Sequence, residues 1–147
     1  MKRAVIRRLL SWTASPASRS ARNKRSCGTC WRERELASCA LCGHEYPIRF
    51  LVAAHVKKRS ICNDDERRDL RHVAMLACTF GCDALYEAGW ITVGQDGHVQ
   101  TVPLDGVPEG RIRDHLRHLA GHRCAAHCHA SEPYFGWHRT TMFRGPT

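Results

Sequence analysis

The chain has 147 residues, 43% hydrophobic and 25% charged, which suits one soluble globular domain plus arms. No stretch approaches the roughly 20 consecutive apolar residues of a membrane span, so no membrane is expected as a partner. The formal charge of +9 points first to a polyanionic partner; a membrane surface, the second reading of such a charge, is not the partner expected.

Residues 1–26 carry eight Lys/Arg and no acid, and five serines lie among them. Their apolar runs, Ala4-Val5-Ile6 and Leu9-Leu10, are too short for a secretory signal. This is a basic arm, read either as a segment that contacts nucleic acid or as a mitochondrial presequence. Nine cysteines follow, eight of them in four close pairs: Cys27/Cys30, Cys39/Cys42, Cys78/Cys82 and Cys124/Cys128. Two or three intervening residues suit two ligands on one metal ion, whereas a disulfide across so short a loop is strained. With ten histidines in the same chain, this predicts structural zinc and a reducing, cytoplasmic setting. Cys62 is the cysteine left over.

Residues 27–38 form a zinc knuckle and linker. A core with a closing hairpin is expected over residues 39–103 and a helical extension over 104–147. Within the core, residues 48–54 are rich in strand formers and end at His55. Residues 57–71 are charged and read as a loop, and residues 72–77 read as a second strand. A short helix over residues 83–88 stops at Gly89. Residues 90–93 and 98–102 flank Gly94-Gln95-Asp96-Gly97 and predict a hairpin. Residues 110–120 place Ile112, Leu116 and Leu119 at helical spacing, with Gly121 beyond the end. The aromatic stretch 132–143 predicts a last helix. The fold class expected is α+β.

Strand, long loop, strand and short helix provide a frame for phosphodiester cleavage. That reaction needs a base for the attacking water and positive charge at the developing anion. His55 ends the first strand and is followed by Lys57, Lys58 and Arg59, which are candidates to hold phosphates. Asp83 stands at a helix start, where a carboxylate also serves as an N-cap. The ordered set Cys39-x2-Cys42-Gly43, Ala53-Ala54-His55-Val56 and Cys78-x3-Cys82-Asp83-Ala84-Leu85-Tyr86-Glu87 resembles the HNH (ββα-metal) endonuclease superfamily. It is most similar to a zinc-stapled branch with a Gly-Cys-Asp-x-Leu-Tyr/Phe-Glu motif, over residues 39–93.

The resemblance implies a metal-dependent DNA endonuclease. His55 stands at the general-base position, His72 where the family usually has a bracing Asn, and Asp83 where a ligand of the catalytic Mg²⁺ or Mn²⁺ stands. Cys39, Cys42, Cys78 and Cys82 stand at the structural Zn²⁺ positions. The family often has an acid directly before the base, and here that residue is Ala54. The second protein ligand is left open among Asp64, Asp65, Glu66 and Asp69. A second zinc site is open to Cys27, Cys30, Cys124 and Cys128, with His127 or His129 as substitutes. His115, His118 and His122 share a helix face that is either a metal site or, more simply, a polar surface. Cutting both DNA strands would take a homodimer or two successive nicks. The alternatives are a non-catalytic zinc module that binds nucleic acid and a protein-interaction module.

Overall fold

The computed structural model describes residues 36–146, and the protein is α+β. The basic arm and the Cys27/Cys30 knuckle lie outside the described residues. Strand β1 (Leu36–Ser38) pairs antiparallel with β2 (Glu45–Pro47), Ser38 opposite Glu45. The turn between them closes through Cys39 N–H to His44 O (2.9 Å) and Gly43 N–H to Cys39 O (2.9 Å). Gly43 sits there at φ 73, a left-handed conformation that glycine adopts without strain. The expected linker thus supplies a strand.

After a 3-10 turn at Ile48–Phe50, β3 (Leu51–His55) pairs antiparallel with β4 (Ala74–Cys78). Leu51 faces Cys78 at one end of this hairpin, and His55 faces Ala74 at the other. All five β4 residues are buried, so the strand is covered on both faces and reads as a continuous apolar run.

The segment expected as a loop folds into two short helices, α1 (Asp64–Arg68) and α2 (Leu70–Val73). Asn63 and Glu66 form a reciprocal capping box, each side chain taking the other's backbone N–H at 2.9 Å. His72 therefore lies in α2, and the second strand starts at Ala74 rather than at His72.

Helix α3 (Cys82–Glu87) runs back along the hairpin, and Tyr86 donates its hydroxyl to Val56 O (3.3 Å). Its N-cap is Gly81, not Asp83, which falls in the first turn. Strands β5 (Ile91–Val93) and β6 (Val99–Thr101) form the expected hairpin. Helix α4 (Arg111–Leu119) packs on β6, burying Leu116 and Leu119. Ile112 is 54% exposed instead of sharing that face, because it sits in the first turn, ahead of the helix's contact with the core.

Helix α5 (Glu132–Thr141) packs on β5 and seals the core with Phe135 and His138. The His138 ring stacks on Tyr86 at 3.8 Å between centroids. Its Nε2–H donates to Tyr86 O (2.9 Å), which fixes the tautomer, and Nδ1 accepts from the Thr92 hydroxyl (2.9 Å). Burial holds this histidine at about 4, far below the ordinary imidazole value. The chain then returns to the α3–β5 turn, where Arg144 N–H meets Gly89 O (2.9 Å). Gly89 has φ 74, and a Cβ there would lie 2.0 Å from Met142 O.

Candidate metal centre and His55 site

Two loops meet at the Leu51/Cys78 end of the β3–β4 hairpin. The turn after β1 carries Cys39 and Cys42, and the turn after β4 carries Cys78 and Cys82. Ala40 N–H donates to Leu76 O (2.8 Å) and Thr79 N–H to Phe50 O (3.0 Å), so backbone bonds dock both loops on the hairpin. All four cysteines are buried, and their sulfurs lie within 4.8 Å of one another. A tetrahedral ion with Zn–S bonds of about 2.3 Å would separate its sulfurs by roughly 3.8 Å, so modest closure of this group makes a metal cage.

The electrostatics favour a cation there. Hydrogen bonds from the Cys78 and Cys82 thiols hold the Cys39 thiol down at about 4, and the Cys78 backbone N–H adds a bond to its sulfur (3.3 Å). Cys82 is driven far up because it shares those bonds with Cys39 and Cys78 and faces their negative charge as a buried group. One thiolate is easily made, and several together are not. A divalent cation removes that conflict, so the quartet is a cluster able to bind a metal such as zinc.

Aromatic side chains cover the outer side. Tyr46 stacks on Phe80 (5.2 Å), Phe80 lies 5.3 Å from Phe50, and the Tyr46 hydroxyl is 4.0 Å from Cys42 Sγ. His115 reaches over from α4, with Nε2 3.5 Å from Cys82 Sγ. Burial lowers the affinity of this ring for a proton. Helical spacing alone leaves His115 with His118 and His122 on a face that is either a metal site or, more simply, a polar surface. His118 is exposed, but His115 is turned toward the sulfurs.

The opposite end of the hairpin carries His55. It is half-buried, and its Nε2 is sealed from solvent with no hydrogen-bond partner. Burial first, and the positive Arg59 second, hold its imidazole below the ordinary value. Val56 N–H bonds Val73 O (2.8 Å), so the backbone before β4 runs directly past this position. Next to Val73, His72 Nδ1 meets Asp69 Oδ1 at 2.7 Å. Tyr134 donates from α5 to the other Asp69 oxygen (3.1 Å).

Lys57 is held by Glu66 at 2.6 Å, while Lys58 and Arg59 are exposed. Cys62 is buried and donates to Lys58 O (3.4 Å), an internal tie for the turn before α1. Asp83 is half-buried in the first turn of α3. Among the described residues, the cysteine quartet is the single group of three or more such donors that converges on a point. His55, His72 and Asp83 do not form a second one. Cys124 is buried in the core, which pushes its thiol up to about 11, and Cys128 is exposed. His127 binds Glu132 (2.8 Å). Among the described residues, no helix is long and apolar enough to cross a membrane. Neither family models nor curated proteins give a match to this chain.

Proposed function

We propose that the protein is a metal-dependent DNA endonuclease of the HNH type, with the cysteine quartet as its structural zinc site. The observation that carries the reading is His55. Its imidazole, whose proton affinity burial lowers, stands at the end of β3 with one sealed ring nitrogen that no protein group satisfies. Buried nitrogens are rarely left so, and a reacting water is a fitting partner. His55 Nε2 takes the proton of that water as its oxygen bonds the phosphorus. The bond to the leaving oxygen then breaks, and that oxygen is protonated from solvent. Lys58 and Arg59, both exposed, flank the scissile phosphate. Asp83 would hold Mg²⁺ or Mn²⁺, which would supply Lewis acidity at the phosphate and leaving oxygen.

The test is nicking of supercoiled plasmid in Mg²⁺, Mn²⁺ or EDTA. Cleavage by the wild type in metal, abolished in EDTA and cut roughly 10²- to 10⁴-fold in His55→Ala, is the expected result. Equal cleavage in EDTA, or full activity in His55→Ala, overturns it. Among the described residues no three-donor cluster stands beside His55, which favours one other reading, a zinc module that binds DNA without cutting it. That module would leave plasmid intact while shifting its mobility in a salt-sensitive way.

A further inference from the structure

Four thiols fill the coordination of a structural zinc ion, yet a fifth donor stands against them. His115 Nε2 lies 3.5 Å from Cys82 Sγ, a contact made across 33 residues of sequence. Its approach depends on Gly81: a Cβ there would lie 3.3 Å from both Cδ2 and Nε2 of the ring. At φ 131, Gly81 also holds a conformation that other residues rarely adopt. The sequence thus keeps side-chain bulk out of the space the imidazole occupies.

We propose that His115 is a reserve ligand of the cysteine metal centre. With four thiolates on the ion, Nε2–H donates to Cys82 Sγ and holds that ligand in place, as the outer partners of metal ligands do. When Cys82 is lost, Nε2 binds the ion in its stead, and the set changes from four cysteines to three cysteines and one histidine. Both sets are closed tetrahedral zinc sites, and Zn–N is only slightly shorter than Zn–S. In the exchange, Nε2 releases its proton to solvent and Nδ1 takes one up, so the ring stays neutral. A neutral ligand in place of a thiolate also lowers the buried negative charge by one. None of this depends on the nuclease reading.

The test uses the full chain with either Zn²⁺ or Co²⁺ and compares Cys82→Ala, Cys78→Ala and Cys82→Ala/His115→Ala. Cys82→Ala should keep the ion, and its Co²⁺ complex should show sulfur-to-metal absorption reduced by about one thiolate in four, in keeping with a tetrahedral set of three thiolates and one imidazole. The double variant should lose the ion. The proposal is overturned if folded Cys82→Ala loses metal as completely as Cys78→Ala, or if the double variant retains it. It is equally overturned if the wild type binds no metal. Should Cys82→Ala fail to fold, His115→Ala alone decides. Release of zinc to a chelator about 10- to 100-fold faster than in wild type supports the proposal, and unchanged release overturns it.

Discussion

The two ends of the β3–β4 hairpin use similar residue types in opposite ways. At the Leu51/Cys78 end, four donors from two loops are buried and crowd one point, so that Cys39 is held down and Cys82 driven up by their neighbours. At the His55/Ala74 end, the polar groups pair off separately: Lys57 with Glu66, and His72 with Asp69. There a single nitrogen, His55 Nε2, is left over. A closed donor set suits a structural metal ion, whereas the proposed function gives the unfilled nitrogen of His55 a partner from outside. What separates the two ends is whether the donors are used up by one another.

The largest expected effect tests the closed end. Structural zinc contributes about 10–16 kcal/mol in small zinc domains, as much as or more than the whole stability of an ordinary domain. Cys78→Ala should therefore lose the ion and its cooperative thermal unfolding transition, read by elemental analysis and near-ultraviolet circular dichroism. Retention of both would put the two ends on an equal footing and break the comparison.

Next in size is Gly89→Ala, which probes the closure of the C-terminal segment over α3. The added methyl meets Met142 O in a left-handed backbone, so a loss of about 3 kcal/mol in urea unfolding is expected, with zinc content unchanged.

A smaller effect concerns His138. Its folded value of about 4 lies below the unfolded 6.5, so the unfolded chain binds the extra proton between those values. The stabilisation is complete above pH 6.5 and falls as pH drops toward 4. Between about pH 6.5 and 5 the wild type should lose about 2 kcal/mol more than His138→Gln, measured by urea midpoints. Equal losses would remove His138 as the acid-sensitive point of the core.

The smallest effect sharpens the open end. Arg59→Gln removes a positive charge that lowers the His55 proton affinity, so the acid limb of plasmid nicking should move to higher pH. An unmoved limb would separate Arg59 from the proposed base.

Legibility differs between the ends for physical reasons. The cysteine quartet can be read from its spacing, because two-point chelation demands short spacers. The β5–β6 hairpin can be read from its glycine-flanked turn. His72 is misplaced by sequence reasoning because His72-Val73-Ala74-Met75-Leu76-Ala77 is an apolar run that does not mark where helix yields to strand. The signal for α1, Asn63 followed by Glu66 three residues on, is present but lies within a segment whose charge suggests a loop. For His115 the local signal is its helical spacing with His118 and His122, which does not point to Cys82. Its role beside Cys82 arises from Gly81, far earlier in the chain, and from the packing of α4, neither of which helical periodicity can encode.

The hydroxyl of Tyr86 has a mechanical consequence. It holds the carbonyl of Val56, the residue directly after His55, while the same ring is clamped by His138. Helix α3 is thus a linkage between α5 and the backbone beside His55. One side chain therefore touches both His138 and the peptide that follows His55. Tyr86→Phe, which cuts this linkage by one oxygen atom, would leave the stacked core intact and free the two ends of the linkage to move apart.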